Sequence, residues 1–324
     1  MSPSHGKRGG DNSVKLKLRE DKKVAIPLGS DGKAHFRLRQ VMVPPGQRVV
    51  LAKDFDPGFT GGCKDKQASV EQLAANVRLL SELQEKLYAQ DSYALLLIFQ
   101  GIDAAGKDGA IQHVLSGVNP QGCHVTSFKV PSEEELDHDY LWRATKALPA
   151  RGMIGIFNRS HYEEVLVVRV HPELLTRQRL PPKLLDKRIW DRRFEEIRNF
   201  ERYLTQNGVV ILKFFLNLSR EEQRERFIAR IDEPAKHWKF SLGDYEERRF
   251  WDDYQDAYSD MLSNTSTPWA PWFVIPADHK WFSRLAISMV ICEALESLDL
   301  KFPRLEKERR RALAGVRAEL KRER

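Results

Sequence analysis

Short, almost wholly apolar runs alternate along the chain with longer segments whose apolar residues recur at helical spacing. A run in which successive residues are apolar is typical of a strand buried on both faces, as in a parallel sheet covered by helices. Such runs lie at Tyr93–Phe99, Met153–Phe157, Val209–Leu218 and Trp272–Pro276, and a further strand is predicted at Cys123–Val130, which is rich in residues that favour strands. The pattern therefore predicts an α/β fold of three layers, α/β/α, around a five-stranded parallel sheet.

The segments between these runs carry the signals of helix ends. Ser69 is a predicted cap, and Ser132 with Glu135 forms a capping box, in which each side chain bonds the backbone of the other residue. The pair Asn207 and Gly208 is a stop signal. Helices are accordingly predicted from Ser69 onward, from Ser132 to about Leu148, over Pro182–Gln206 and over Trp281–Leu298.

Composition divides the chain into three parts. Residues 1–62 are predicted to form an N-terminal extension, which is a basic tail followed by a strand-and-turn segment with several Pro and Gly residues. Residues 63–300 contain the five predicted strands and form the predicted core. Residues 301–324 are a basic C-terminal tail, with ten Lys and Arg against four Glu.

The net positive charge lies at the two ends of the chain. The formal net charge is +7, of which residues 301–324 carry +6 and residues 1–23 carry +4, so the stretch between them is at about −3. A protein that binds nucleic acid usually gathers its basic residues on one face or stripe. We therefore expect no nucleic-acid partner, and an anion site in the core must come from locally gathered arginines and lysines.

The composition also argues against secreted and membrane-spanning proteins. No stretch approaches eighteen consecutive apolar residues, and the first residues lack the apolar region of a secretion signal. The three cysteines, Cys63, Cys123 and Cys292, are odd in number and lack metal-ligand spacing, so neither a disulfide framework nor a zinc site is expected. We expect a cytoplasmic protein without a membrane partner.

A phosphate-binding loop is predicted directly after the first apolar run. Residues 101–107 fit the pattern G-x-x-x-x-G-K, and a helix is expected to begin near Gly109. The backbone N–H groups of such a loop and the helix N-terminus bind phosphate, and the lysine adds a positive charge. The predicted phosphate contacts in this loop are Gly101, Ala104, Ala105, Gly106, Lys107, Asp108 and Gly109.

Two acids make this loop irregular. Asp108 stands where Ser or Thr usually supplies a hydroxyl to Mg²⁺, and Asp103 lies among the N–H groups that would cradle phosphate. A carboxylate in that place repels phosphate unless a cation bridges the two. We therefore infer that Asp103 binds Mg²⁺. The alternative is that its side chain only stabilises the turn.

A second candidate segment follows the third predicted strand, Met153–Phe157, at the edge where open α/β sheets bind their ligands. Arg159 suits a phosphate because its planar guanidinium matches two phosphate oxygens at once. Asn158 stands where many such loops place an Asp for metal or water, and an amide adds no charge to a metal site. His161 is interpreted as a packing or capping residue rather than as a catalytic base.

A third segment, residues 220–262, has the features of a cationic lid. Arg226 and Arg230 are four residues apart and share a helix face. Pro234 breaks the helix, and Lys236 and Lys239 follow it. A lid that closes over phosphates excludes water and positions the transfer. The alternative is an ordinary solvated helix.

These motifs together resemble the second family of polyphosphate kinases. The resemblance covers about Val43–Leu298 and includes Gly101–Gly109, Phe157–His171, Lys236–Ser241 and Ala270–Ala277. It implies a P-loop kinase-like fold with a helical lid, and an enzyme that acts on inorganic polyphosphate and a nucleotide (AMP, ADP or ATP) with Mg²⁺. It also implies a homo-oligomer. The Asn at 158, the Ser160-His-Tyr run and residues 167–170 resemble the class that phosphorylates both AMP and ADP.

The resemblance implies roles for individual residues as well. Asp103, Lys107 and Arg159 would be the catalytic residues, with Asp103 as the Mg²⁺ ligand. Further contacts to the phosphates are implied for Arg169, Arg226, Arg230, Lys236 and Lys239. Asn158, Glu163 and Glu164 would lie near the nucleotide.

We therefore expect a Mg²⁺-dependent nucleotide kinase that transfers the terminal phosphoryl group of inorganic polyphosphate to AMP and/or ADP, in a reversible reaction. An ATP-dependent nucleoside monophosphate kinase is the nearest alternative, because it would share the fold and the lid. The acids Asp103 and Asp108 argue against it. A protein that binds nucleic acid through its basic ends is a third hypothesis.

Overall fold

The computed structural model describes residues 33–63 and 65–323, together with Val14, Leu18, Arg19, Asp21 and Val24–Pro27. The predicted basic tail at residues 1–23 lies almost wholly outside these residues. The strands are β1 (Val24–Pro27), β2 (Lys33–Phe36), β3 (Ala94–Gln100), β4 (Cys123–Ser127), β5 (Ile154–Asn158), β6 (Val209–Asn217) and β7 (Trp272–Pro276).

The helices follow the alternation that the sequence predicts. The α-helices are α1 (Leu51–Asp54), α2 (Lys66–Gln90), α3 (Lys107–Val114), α4 (Glu133–Leu136), α5 (Trp142–Lys146), α6 (Val167–Val170), α7 (Ile189–Gln206), α8 (Arg220–Asp232), α9 (Leu242–Glu247), α10 (Trp251–Thr265), α11 (Lys280–Glu296) and α12 (Lys307–Leu320). Short 3₁₀ turns lie at Leu38–Gln40, Pro120–Gly122, His161–Val165, Pro172–Gln178, Pro182–Leu184, Pro234–Lys239 and Arg248–Phe250.

The main sheet has five strands, all parallel, in the order β4-β5-β3-β6-β7. This confirms the predicted three-layer α/β fold. The central strand β3 is buried along its whole length, as its continuous apolar run predicts. Because β3 lies between β5 and β6, the loop that follows it lies between the carboxyl ends of those two strands. Ligands of open parallel sheets bind at this edge.

The first long helix begins earlier than the predicted cap at Ser69. α2 starts at Lys66 because the carboxylate of Asp65 accepts a hydrogen bond from the N–H of Ala68, at 3.0 Å. The hydroxyl of Ser69 instead donates to the carbonyl of Asp65, at 3.1 Å. Both residues are good caps, and the one that is nearer the true helix start makes the capping bond.

Two aspartates shorten other predicted helices. Asp139 accepts a hydrogen bond from the N–H of Leu141 at 2.9 Å, and Asp186 accepts one from the N–H of Arg188 at 2.9 Å. Each side chain offers the backbone a turn in place of a helix. The capping box at Ser132 is present, but the helix that it opens is only the short α4. Likewise, α7 begins after residue 188 rather than at 182.

The two ends of the described chain differ in their packing. Residues 41–43 run beside β7, because the N–H of Val43 donates to the carbonyl of Trp272 at 2.9 Å and the N–H of Val274 donates to the carbonyl of Val41 at 2.6 Å. Phe36 is fully buried in the same core as the sheet. By contrast, α12 is exposed along its whole length. None of the helices within the described ranges has the length and apolar content needed to cross a bilayer.

A buried ionic network fixes the turn that follows β5. The Nζ of Lys213 donates to Glu201 Oε2 at 2.7 Å, to the Tyr162 hydroxyl at 2.9 Å and to the Thr265 carbonyl at 2.7 Å. The Tyr162 hydroxyl also donates to Glu201 Oε1, at 2.6 Å. Tyr162 belongs to the 3₁₀ turn after β5, so the network ties this turn to β6, α7 and α10.

Glu201→Gln should lower the free energy of unfolding by about 3–5 kcal/mol, because it leaves Lys213 as a buried charge without its counter-charge. Urea denaturation followed by circular dichroism measures the change. The matched control, Glu195→Gln, alters an exposed carboxylate on the same helix and should cost less than about 0.5 kcal/mol. Equal stability of Glu201→Gln and the unmodified protein would show that the network does not hold this turn.

Candidate active site

The phosphate loop joins β3 to α3, and its path depends on two glycines. Gly101 has φ +150° and Gly106 has φ +103°, in a region that residues with a side chain rarely adopt. A Cβ on Gly101 would also lie 2.9 Å from the carbonyl oxygen of Leu216 on β6, so the sheet leaves no room for one. Gly106 immediately precedes α3, which places the positive end of the α3 dipole at the loop.

Lys107, the first residue of α3, is buried inside this loop. Its Nζ donates to the carbonyl of Gly101 at 2.6 Å and to that of Ile102 at 3.3 Å. Burial lowers the pKa of Lys107 to about 8, and the neighbouring charge of Arg159 acts in the same direction, against the opposite effect of Asp103. The lysine is therefore charged at neutral pH and loses its charge in weak alkali.

Arg159 lies between two carboxylates. Its Nη2 donates to Asp103 Oδ1, and its Nη1 donates to Glu163 Oε2 at 3.2 Å. The attraction of Glu163, followed by that of Asp103, raises the pKa of Arg159 above its ordinary value. The Arg159 backbone has φ +61°, and its N–H donates to the carbonyl of Phe99 at 3.0 Å. The structure thus brings together Asp103, Lys107 and Arg159, which the sequence predicts as the catalytic residues.

The two irregular positions of the motif contact each other. Asn158 Nδ2 donates to Asp108 Oδ1 at 2.5 Å. Asp108 takes the place of the usual hydroxyl residue, and Asn158 takes the place of the usual Asp. These two residues therefore contact each other. An Asp at position 158 would face Asp108 with like charge, which raises the pKa of one carboxyl. The predicted nucleotide contact of Asn158 stays a prediction, since its amide bonds the loop.

The predicted lid arginine Arg226 is buried and braces the loop. Its Nη1 donates to the carbonyls of Ala104 and Ala105 at 2.9 and 3.0 Å, and its Nη2 donates to that of Ala277 at 2.6 Å. Gln223 on the same helix donates to the Asp103 carbonyl at 3.0 Å. These bonds hold the backbone of the loop in place, and the predicted contact of Arg226 with polyphosphate stays a prediction.

The other predicted lid cations are more accessible. Arg230 donates to the Lys239 carbonyl at 3.0 Å and lies 3.5 Å from a carboxylate oxygen of Asp244 on α9. Lys236 pairs with Glu233 beside it, and the Lys239 ammonium lies 4.9 Å from the ring centre of Trp238. These side chains are bound only locally, so an arriving polyanion can recruit them. Their contact with phosphate stays a prediction.

Two further predicted residues bond side chains that lie outside the phosphate loop. Arg169 pairs with Asp260 on α10, and its guanidinium carbon lies 6.0 Å from the ring centre of Phe194. No described hydrogen bond or ion pair joins it to the phosphate loop. Glu164 is buried and accepts hydrogen bonds from Arg193 at 2.9 Å and Gln178 at 2.7 Å. Burial raises the pKa of Glu164, against the attraction of Arg193. Both residues stabilise the segment after β5, and Glu164 also lines the cavity beside Arg159. Their predicted contacts, of Arg169 with phosphate and of Glu164 near the nucleotide, stay predictions.

A cavity of about 550 Å³ opens beside Arg159, between the segments that follow β4 and β5. We refer to it as the β5 cavity. Its apolar lining includes Phe128, Leu136, Val167 and Leu174, and its polar lining includes Arg143, Arg159, Glu163 and Glu164. A largely apolar cleft with a few convergent polar groups is typical of a small-molecule site. Its size and its contact with Arg159 suit a nucleoside attached to phosphate.

Several residues of this site are missed by the sequence. The carboxyl of Asp244 is close enough to Asp103 for that acid to raise its pKa, in addition to the larger effect of burial. Acids are common on exposed helices, so no sequence signal distinguishes this one. Gln223 has no motif either. The lining of the β5 cavity could have been found in part, because it follows the carboxyl ends of β4 and β5.

The parallel sheet, the phosphate loop between β3 and α3, and the arginine beside that loop define a phosphotransferase of the P-loop kinase class. The chain belongs to the polyphosphate kinase 2 family, because the family model described as Polyphosphate kinase 2 (PPK2) matches residues 63–303. The family resemblance that the motifs carry is therefore confirmed.

Individual relatives agree with this family. The chain is 51% identical over 289 residues to a protein of Rhodopseudomonas palustris named ADP-polyphosphate phosphotransferase. The matched region covers 88% of this chain and 99% of the relative. It is 46% identical over 273 residues to the AMP/ADP-polyphosphate phosphotransferase of Meiothermus ruber, with 83% and 97% covered. The crystal structure of polyphosphate kinase 2 from Arthrobacter aurescens is similar with a TM-score of 0.75 and 42% identity, over 85% of this chain and 98% of that one.

The contact between the two irregular positions predicts the behaviour of exchanged side chains. Asn158→Asp should lower kcat/KM about tenfold, because it sets a second carboxylate against Asp108 at the phosphate loop. Asn158→Asp combined with Asp108→Asn keeps one amide and one carboxylate, and should recover most of the loss. Steady-state kinetics of the two single variants and the double variant measure this. A double variant no better than Asn158→Asp would show that the contact is unimportant.

The pKa of Lys107 predicts a pH dependence. In the free protein the charged form is present below about pH 8 and is lost as the pH rises through that value, so kcat/KM for the phosphate donor should fall in weak alkali. Bound phosphate favours the charged lysine, so kcat should fall only at higher pH. Initial rates from pH 6.5 to 10 measure both profiles. A kcat/KM that stays level to pH 10 would contradict the assignment.

Proposed function

We propose that this protein is a polyphosphate-dependent nucleotide kinase, which transfers the terminal phosphoryl group of inorganic polyphosphate to AMP and to ADP, reversibly. The observation that carries the proposal is the position of the phosphate loop: its Asp103 contacts Arg159, which also lines the β5 cavity, and Arg226 of the lid bonds its backbone. The polyphosphate kinase 2 family, to which the chain belongs, supports polyphosphate as the donor.

The acceptor nucleotide occupies the β5 cavity. The nucleoside packs on the apolar lining formed by residues such as Phe128 and Leu136, and its phosphates reach Arg159 at the edge of the cavity. Arg159 offers a planar pair of N–H donors that matches phosphate oxygens. Arg159 can bind the terminal phosphate of AMP, and it can bind that of ADP if the nucleotide shifts slightly in the cavity. The name of the Meiothermus ruber relative, which includes both nucleotides, supports both acceptors.

The donor end of polyphosphate lies on the phosphate loop. Backbone N–H groups of the loop and the first turn of α3 bind its oxygens, and Lys107 neutralises charge from within the loop. Lys236 and Lys239 of the lid supply further positive charge to the donor chain. Phosphoryl transfer needs little covalent help from a protein, so alignment and charge neutralisation supply most of the acceleration. Polyphosphate has no nucleobase, so a protein can hold it only through its charge. The cations of the loop and the lid suit such a donor.

The acids of the site fit a Mg²⁺ ion shared with substrate. Mg²⁺ in phosphoryl-transfer sites is usually held by one or two carboxylates and by substrate phosphates, rather than by a complete protein cage. Asp103 lies on the loop, and the carboxyl of Asp244 is near enough for the charge of Asp103 to raise its pKa, so one or two carboxylates are available for such an ion. When bound, Mg²⁺ would supply positive charge that neutralises the phosphates. Asp103, which also contacts Arg159, would hold it.

Donor identity separates this proposal from its nearest alternative. An ATP-dependent nucleoside monophosphate kinase needs a second nucleoside site for the donor, whereas polyphosphate needs only cations. The relatives quoted above are named for polyphosphate, which disfavours ATP as donor. A cytoplasmic location and a homo-oligomeric state are part of the proposal and rest on the sequence.

The decisive assay combines AMP, long-chain polyphosphate and Mg²⁺ without any triphosphate, and separates the nucleotide products by chromatography. ADP and then ATP should form. Asp103→Asn and Lys107→Ala should each lower the rate at least about a hundredfold, the size of effect seen when one group that stabilises transition-state charge is removed. Glu82→Gln, on the exposed face of α2, is the control and should keep the full rate.

Two outcomes would refute the assignment. Product that forms only when ATP is supplied would establish the alternative kinase. Near-normal rates in both folded variants would show that the transfer occurs elsewhere. Arg159→Lys should also be slow, because a lysine cannot reproduce the paired N–H donors, and a rate close to that of the unmodified protein would remove Arg159 from the catalytic residues.

A further inference from the structure

The first turns of α11 carry two basic side chains, and one of them lies close to the phosphate loop. Lys280 and Arg284 are four residues apart, so they project from the same face of the helix. Among the described residues, no ion pair or hydrogen bond engages either side chain. Arg284 lies close to the phosphate loop: its Nη2 is 3.6 Å from the place that a Cβ on Gly109 would take, in the first turn of α3.

The electrostatics of these two residues are unfavourable for the protein alone. Burial lowers the pKa of Lys280, and the positive charges of Arg226, Lys236 and Arg284 lower it further, against one acid, Glu222. Burial also lowers the pKa of Arg284. In addition, the N-terminal end of a helix carries a partial positive charge, which favours acids there and disfavours cations. Unpaired cations gathered in this way are stabilised by a bound anion.

The position of this pair relative to the loop indicates which anion binds. Arg226 bonds the carbonyls of the loop with one arm and the carbonyl of Ala277 with the other, and Ala277 leads directly into α11. The pair therefore adjoins the loop on the side of β6 and β7. The β5 cavity opens on the side of β4 and β5. The loop lies between them, so a chain of phosphates that ends at the loop can continue past α11 without entering the nucleoside cavity.

We propose that Lys280 and Arg284 form a second anion subsite, which holds phosphates of the donor chain beyond the group that is transferred. This inference rests on the proposed function, because it takes polyphosphate as the donor. Each cation adds a contact that a long chain can make and a very short chain cannot. The subsite therefore sets the preference of the enzyme for chain length, and it leaves the acceptor nucleotide unaffected.

The test is the double variant Lys280→Gln and Arg284→Gln, assayed with long-chain polyphosphate, with tripolyphosphate and with AMP. The KM for long-chain polyphosphate should rise about tenfold, as expected for two partly exposed charge contacts. The KM for AMP should stay the same, and so should that for tripolyphosphate, or its inhibition constant if it is not turned over. The melting temperature without substrate should not fall, since the substitutions relieve repulsion between like charges.

The matched control removes the same charge elsewhere, with Arg310→Gln and Arg311→Gln on the exposed α12. An unchanged KM for long-chain polyphosphate in the α11 variant would overturn the inference, and so would an equal rise in the control. A rise that is the same for both chain lengths would place the two residues at the transferred group instead. If the unmodified protein transfers no phosphate from polyphosphate, the proposed function fails. If it does and the α11 variant matches it, only this inference fails.

Discussion

The guanidinium of Arg159 connects parts of the site that come from different strands. It extends from the end of β5, contacts Asp103 in the loop after β3, and contacts Glu163 in the wall of the β5 cavity. A left-handed backbone at an arginine costs on the order of 1–3 kcal/mol, so these carboxylates and the bond to Phe99 must hold it in place. The phosphate loop and the β5 cavity thus share the side chain of Arg159. In the proposed function, a phosphate bound by Arg159 would lie next to both.

Positive charge serves two purposes in this protein, and burial separates them. Arg226 and Lys213 are buried, and every arm that they extend meets a carbonyl, a hydroxyl or a carboxylate. They hold the loop and the turn after β5 in place, because removing one partner of a buried charge is costly. Lys280 and Arg284 have no such partners among the described residues, so a bound anion would relieve the repulsion between them. Counting basic residues would not distinguish the two groups.

The sequence predicts the sheet and the loop well because their signals are local. Continuous apolar runs mark four of the five strands, the residue types of β4 favour a strand although few of them are apolar, and the spacing of Gly101, Gly106 and Lys107 marks the loop. The predicted lid shows where such reasoning stops, since Arg226 and Arg230 look alike in sequence although only Arg226 is buried against the loop. Which partner an arginine takes depends on segments distant in sequence. For the same reason the sequence does not identify Asp244 as a residue of the site. It also does not predict the bond between Asn158 and Asp108, although both residues depart from the usual motifs.

The antiparallel pairing of residues 41–43 with β7 has a consequence for the solubility of the chain. A strand at the border of a sheet exposes unpaired N–H and C=O groups, which can join the border strand of another molecule and start aggregation. Val41 and Val43 satisfy such groups on β7, on one border of the sheet. The family model begins only at residue 63, so the segment that protects this border lies outside the part that defines the family. A chain shortened to the family boundary would keep the phosphate loop but lose its protection against association through β7.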